Sequence, residues 1–344
     1  MNKFYALFLF AIVAGNSSNA WAQQQSMYTM YAYNTLAYNP AYAGSAGAFD
    51  LNILHRHQWW GFGPNAPMTQ NLTLHSPLPS KNIGLGLNMT FDRIAVSRSL
   101  DFFPTFAYRI KFGDHTVGSN GKKTGKGGYI SLGLQGGVSN FNADWSQLNL
   151  DDANDPAFQV QRPNVWLPNF GAGIYVHTDK WFVGLSAPFL ITNKLRRRTA
   201  LEPADLPIAQ QYRHYYFTAG YAFELTPDIV FRPTILFKNV GLFVERQQSL
   251  RIGAPNEFDI DAAFLFKNKF WVGASFRSAF ELRASSYDSV DFWAAVMLGK
   301  GHRIGFSFDY TLTRLNPGVQ GSYEIMYGFN LIRYEKGFDH PRYF

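Results

Sequence analysis

From residue 83 to residue 92 the chain reads Ile-Gly-Leu-Gly-Leu-Asn-Met-Thr-Phe-Asp, with a large apolar side chain at every odd position and a small or polar one at every even position. Successive side chains of a β-strand point to opposite faces, so this stretch makes a strand that is greasy on one face and wet on the other. The same period of two returns at residues 304–310, 130–138 and 258–266, with weaker copies between them.

The first residues set the compartment in which these strands fold. Lys3 supplies a short positive region, residues 4–14 form an apolar run, and Ala20-Trp21-Ala22 is an A-x-A cleavage site, the three parts of a secretory signal. Cleavage is expected after Ala22, with Gln23 as the first mature residue. The apolar run is too short to cross a bilayer as a helix, which takes about 20 residues, and no later segment offers an uncharged apolar run of about 18. An exported chain of alternating strands reads as a transmembrane β-barrel.

Composition agrees. Aromatic residues make up 17% of the chain, with Phe 32 and Tyr 19, yet mean hydropathy is slightly negative at -0.16. A helical membrane protein would be more hydrophobic, and a soluble β-sandwich, the rival reading, would rarely carry so many rings in alternating strands. Cysteine is absent, so hydrogen-bonded sheet rather than disulfides must hold the fold. The formal net charge of +7 favours anionic partners such as lipopolysaccharide phosphates; nucleic acid is not expected for an exported barrel.

The expected organisation is a signal peptide (1–22), an N-terminal periplasmic or lumenal segment (23–47), an outer-membrane barrel (48–332) and a periplasmic tail (333–344). The barrel is all-β, up-and-down and antiparallel, with about 14 strands and both termini in the periplasm. The strands are placed at 48–59, 67–76, 82–92, 98–112, 128–138, 168–177, 181–187, 213–223, 228–238, 256–267, 270–277, 289–299, 303–311 and 321–332. Short turns alternate with long outer loops, except that the glycine-rich, basic stretch 113–127 reads as a periplasmic insertion. Leu85, Leu87, Met89, Phe91, Phe106, Ile110, Ile235, Phe237, Phe306 and Phe308 are assigned to the lipid face. Tyr108, Phe112, Tyr215, Tyr221, Trp271, Tyr310 and Tyr327 are assigned to interfacial girdles. The inward set mixes glycines (Gly84, Gly86, Gly133, Gly171, Gly173, Gly305) with charges of both signs, which favours a narrow or filled interior. Pro104, Pro168 and Pro233 fall inside strands, where bulges or strand ends are expected.

Motifs for chemistry are weak. Gly121-Lys122-Lys123-Thr124 lacks the spacing of a phosphate loop. His55, His57 and His75 could in principle approach a metal, but histidines at strand ends read better as interfacial polar groups. Asp151-Asp152-Ala153-Asn154-Asp155 lacks the glycine and distal glutamate of a calcium loop. Arg196, Arg197 and Arg198 form a basic run in an outer loop, either solvated or able to grip an acidic partner. No G-x-S-x-G is present. No catalytic, cofactor or metal residue is assigned.

Two stretches go beyond barrel grammar. Tyr33-Asn34-Thr35-Leu36-Ala37-Tyr38-Asn39-Pro40-Ala41-Tyr42-Ala43-Gly44-Ser45 resembles the N-terminal signature of the PorP/SprF family of type IX secretion system outer-membrane proteins. His57-Gln58-Trp59-Trp60-Gly61-Phe62 followed by Ala66-Pro67-Met68-Thr69-Gln70 is similar to a second family segment; Tyr38 in the first stretch and His57 in the second depart from the usual residues. The resemblance implies a non-enzymatic barrel of the type IX secretion and gliding apparatus, supporting export or surface attachment of large adhesins. It implies contacts with a periplasmic ring and a peptidoglycan-anchored lipoprotein. Tyr33, Asn34, Asn39, Pro40, Tyr42, Gly44, Trp59, Trp60, Gly61, Phe62, Pro67 and Gln70, with Arg196, Arg197 and Arg198, are the candidate partner contacts. The competing readings are that the two motifs only close the barrel ends, and that the protein is a passive channel or small-solute transporter.

Overall fold

The computed structural model describes residues 27–113, 127–147, 164–196, 207–211, 213–240, 256–280, 286–313 and 318–331. The alternating segments form β1 (Asp50–His57), β2 (Met68–Pro77), β3 (Ile83–Ile94), β4 (Ser97–Phe112), β5 (Gly128–Ala143), β6 (Asn164–Thr178) and β7 (Trp181–Phe189). They continue as β8 (His214–Tyr221, prolonged by Phe223–Thr226), β9 (Ile229–Val240), β10 (Asn256–Phe266), β11 (Phe270–Phe280), β12 (Ser286–Met297), β13 (His302–Thr311) and β14 (Ser322–Asn330). Each strand pairs antiparallel with its neighbours in sequence, and β1 pairs with β14 from Asp50↔Asn330 to His57↔Tyr323. The result is a closed 14-strand barrel. Closure removes the row of unpaired N–H and C=O groups that an open sheet presents, each of which costs several kcal/mol in hydrocarbon. A short hairpin, Asn193–Arg196 with Pro207–Gln211, stands apart from the barrel between β7 and β8. No helix among the described residues is long and apolar enough to cross a membrane.

The two faces of the alternation sort cleanly. On β4 every even position points outward, and Leu100, Phe102, Phe106, Tyr108 and Ile110 are 41–47% exposed. Ten rises of about 3.4 Å separate Leu100 from Ile110, and at a tilt of about 40° they cover about 26 Å along the barrel axis, matching the apolar belt of about 25 Å that an outer-membrane barrel needs. Leu85 and Phe91 on β3, Ile130, Leu132 and Leu134 on β5, and Ile304 and Phe306 on β13 continue this surface around the wall.

Connections alternate between the two ends. One end carries short turns at 78–82, 179–180, 227–228, 267–269 and 298–301; the other carries the longer connections, apart from 95–96 and 281–285. Of the 113–127 stretch at the short-turn end, residues 114–126 lie outside the described residues, as do the signal segment 1–22, the acidic run at 151–155 and the tail 333–344.

Two expectations need correction. Trp271 does not belong to a girdle: its ring is 3% exposed and faces the lumen, with the Arg232 guanidinium 4.3 Å from its centre. Its neighbours Phe270 and Val272 take the outward positions, at 48% and 44% exposed. Nor do the prolines bend the sheet. The β4–β5 register is the same before and after Pro104 (Phe102↔Val138, Thr105↔Gln135), and Pro168 and Pro233 pair opposite Val138 and Ala262 in unbroken ladders. A strand residue directs its backbone groups to one neighbour at a time, so a missing N–H weakens one ladder while the other keeps the strand in line. The irregularities fall instead at His214/Tyr216, Glu224/Thr226 and Arg277/Ser278.

Candidate functional site: a filled lumen and the rim above it

The lumen is occupied by the chain's own N-terminal segment. Residues 27–46 fold as three single 3-10 turns, Tyr31–Tyr33, Thr35–Ala37 and Pro40–Tyr42. Local sequence explains the last of these: the Asn39 side chain accepts from the Ala41 N–H at 2.9 Å, and Pro40 occupies the first helical position, where a missing N–H costs nothing. Met27, Tyr28, Met30, Tyr31 and Tyr38 are each at most 3% exposed and pack with Leu54, Tyr216, Leu236, Leu265, Trp293 and Met326 of the wall, while Leu36, 1% exposed, clusters with Ala43 and with Ala107 of β4.

Glycines on the wall make room for this plug. A Cβ on Gly133 would lie 2.1 Å from the Ala41 nitrogen, one on Gly84 2.0 Å from the Ala43 oxygen, and one on Gly173 2.2 Å from Asn39 Oδ1. On the wet face of the alternating strands, Gly133 and Gly84 therefore admit the plug's backbone and Gly173 admits the Asn39 side chain.

Polar groups then fasten the plug along its length. The Thr29 and Met30 N–H groups donate to the two oxygens of Glu324 at 2.7 and 3.0 Å, and Thr29 Oγ1 donates to Asp309 at 2.7 Å. Asn34 donates to Asn71 at 2.8 Å and accepts from Thr73 at 2.9 Å. Asn39 donates to the Ile174 carbonyl at 3.0 Å, Ser186 to the Tyr38 carbonyl at 2.9 Å, and the Gly44 N–H to His75 Nδ1 at 3.1 Å. Tyr31 Oη lies 2.8 Å from Thr234 Oγ1. Burial pushes the phenols of Tyr28, Tyr31, Tyr33 and Tyr38 well above the usual tyrosine range, so the plug's rings stay neutral.

The carboxylates that hold the plug are themselves paired. Arg56 lies 2.6 Å from both Asp309 and Glu324; Arg277 spans Asp259 at 2.9 Å, Asp291 at 3.4 Å and Asp309 at 3.7 Å. Arg303 grips Asp50 at 2.8 Å, and Lys238 meets Glu257 at 3.1 Å. These buried ions are tolerable because each of them has an opposite partner; removing one leaves a buried charge uncompensated, at about 3–5 kcal/mol. Sequence reasoning does not single out Arg56 or Glu324. The available signal is parity: each lies on the polar face of an alternating strand.

Above the plug, at the long-loop end, lies the second motif. Trp59 adopts φ 53, with Gly61 and Gly63 at φ 95 and 91, so the loop turns sharply on itself. It is clamped to the β13–β14 connection: the Trp60 N–H donates to the Gly321 carbonyl at 2.7 Å, the Gln320 N–H to the Trp60 carbonyl at 2.6 Å, and the Trp59 N–H to Ser322 Oγ at 3.1 Å. Trp60 and Phe62 project outward, 52% and 53% exposed.

The candidate contact residues thus divide. Asn34, Asn39, Pro40 and Gly44 are buried in the lumen, with Tyr33 and Tyr42 half-buried beside them; Pro67 is buried under the rim. Trp60, Gly61, Phe62 and Gln70 are exposed and Trp59 is half-buried. Arg197 and Arg198, and the side chain of Arg196, lie outside the described residues. The three histidines do not converge: His55 and His57 lie against Tyr323, while His75 points into the lumen and accepts from Gly44.

Lipid-facing rows outside and a bonded plug inside define a plugged transmembrane antiparallel β-barrel. Residues 20–329 match the model of the type IX secretion system membrane protein PorP/SprF, and the chain belongs to that family. It is therefore an outer-membrane barrel of the type IX secretion system. No curated protein matches the chain. Among solved structures it is similar to the Ralstonia pickettii toluene transporter TbuX, at 12% identity and a TM-score of 0.46, covering 86% of this chain and 92% of that one. It is also similar to the P. putida toluene transporter TodX (11% identity, TM-score 0.45, 86% and 93% covered). The CymD monoaromatic hydrocarbon channel gives 11% identity and a TM-score of 0.45, with 85% and 91% covered.

Proposed function

We propose that this protein is a non-enzymatic interaction barrel that supports export or surface attachment of a large adhesin and contacts the periplasmic ring and a peptidoglycan-anchored lipoprotein of the same system. The observation that carries this reading is the plug: a lumen filled by residues 27–46 and bonded to the wall at Glu324, Asp309, Asn71, Ile174, Ser186 and His75 is suited to presenting surfaces rather than passing solutes. The short-turn end and both termini face the periplasm in this reading, following the usual asymmetry of bacterial barrels, with cleavage after Ala22. The clamped loop bearing Trp60 and Phe62 then lies on the cell surface, where exposed rings make efficient protein contacts.

Planar-bilayer recording of the purified protein tests it. The intact chain is expected to be electrically silent and a chain lacking residues 27–46 to conduct, while a deletion strain loses adhesin from its surface and is not rescued by Trp60→Ala/Phe62→Ala. Steady, solute-selective currents through the intact chain, with adhesin display unchanged in the deletion strain, would establish the passive channel instead.

A further inference from the structure

On the outward face of β2, β3 and β4, at the long-loop end, the register stacks two cross-strand rows. The lower row is Gln70, Phe91 and Leu100; the upper is Met68, Arg93 and Arg98. Leu100 begins the apolar belt, so the two arginines stand one step beyond it, at headgroup height.

Arg93 and Arg98 are direct cross-strand partners. Like charges placed so, with Cβ atoms about 5 Å apart, oppose strand pairing unless an anion lies between them. No carboxylate among the described residues pairs with either guanidinium. The acids nearest in sequence, Asp92 and Asp101, are on the lumenal face, where Asp92 accepts from Thr69. The Arg93 guanidinium is nonetheless steadied, 2.9 Å from Met68 Sδ and 3.4 Å from the Pro64 carbonyl. Between these side chains opens a cavity of about 250 Å³ lined by Met68, Gln70, Phe91, Arg93 and Arg98. It joins two cations that lack a carboxylate partner to an apolar floor continuous with the lipid-facing surface.

We propose that Arg93 and Arg98 hold the phosphate of an anionic lipid headgroup, with its acyl chains running down past Phe91 and Leu100. Two guanidiniums offer forked donors to one phosphate, and the bound anion cancels their mutual repulsion. With the orientation given above, this is the outer leaflet, so the ligand class is a phosphorylated glycolipid of the lipid A type. That last assignment rests on the proposed orientation; the recognition of lipid phosphate does not.

Native mass spectrometry of the full barrel, loaded in turn with diphosphoryl lipid A, phosphatidylglycerol and phosphatidylcholine, tests the site. Retention of lipid A is expected to fall at least about tenfold in Arg93→Gln/Arg98→Gln, less in Arg93→Lys/Arg98→Lys, and not at all in Lys267→Gln at the opposite rim. All three variants alter exposed or half-exposed side chains, and heat-modifiable migration on gels verifies that each has folded. Equal retention by the Gln variant, or equal retention of phosphatidylcholine, overturns the site. Preference for phosphatidylglycerol over lipid A overturns the glycolipid assignment and leaves adhesin display untouched, so it is separable from failure of the secretion role.

Discussion

A hydrogen atom in place of a methyl group decides how near Ala41 can come to β5. At Gly133 the obstructing atoms are all backbone: a methyl carbon there would sit 2.1 Å from the Ala41 nitrogen and 2.3 Å from its Cα, and neither side can yield. At Gly305 the nearest atom is the Met30 side-chain terminus at 2.3 Å, which can rotate away. Gly133→Ala is therefore expected to destabilise the barrel by about 1–3 kcal/mol and to loosen the plug, and Gly305→Ala to cost less than about 1 kcal/mol. Urea unfolding in lipid vesicles, with protease cleavage of the segment around Ala41 as a second readout, checks the contrast. The glycines on the wet face are visible in the sequence as small residues at alternate positions, but their role is not: nothing local says which atom approaches them. Trp271 shows the same limit from the other side. Phe270 and Trp271 are adjacent rings at a strand start, and hydropathy alone cannot say which faces lipid; the buried Arg232 guanidinium, held over the Trp271 ring, decides it.

Among the elements, the plug is the least regular and the most dependent on its surroundings. Its three short turns bury tyrosines whose neutral form is favoured by desolvation. A phenol raised above its unfolded value of about 10 leaves stability flat below that pH; above it the unfolded chain loses protons that the folded chain keeps, and stability falls as pH rises. The unfolding midpoint is expected to hold between about pH 7 and 9 and to drop above about pH 10. Tyr33→Phe removes a hydroxyl that has no hydrogen-bond partner among the described residues, so it should flatten the alkaline drop with little loss at neutral pH. An unchanged alkaline slope in Tyr33→Phe would show that this ring does not contribute. The strands, by contrast, are legible almost throughout, because each states its own two-residue period. The main shortfall is at β5 and β6, which run to Ala143 and from Asn164, past the end of clean alternation at Val138. Asn140 and Asn142 there face outward opposite Leu100 and Arg98, at the edge of the apolar belt and one step past it, so polar residues stand where an apolar row is sought.

For the whole molecule, the barrel's position in the membrane follows from one outward surface shared by many strands. Phe106, in the middle of its row, and Leu100, at its edge, should respond differently to the same charge. Phe106→Arg is expected to cost about 2–4 kcal/mol and Leu100→Arg about 0–1 kcal/mol, measured by reversible unfolding in phospholipid vesicles. Equal costs would place the belt elsewhere. The chain by itself determined that there are alternating strands, which face of most of them meets lipid, and how the turns alternate, since those properties depend on neighbours two residues apart and on contact with a uniform solvent. Only the tertiary structure decided that the N-terminal motif fills the lumen. The bonds that hold it there join residues as distant as Thr29 and Glu324, 295 positions apart, and the charged wall that receives it exists only once the first strand has met the last.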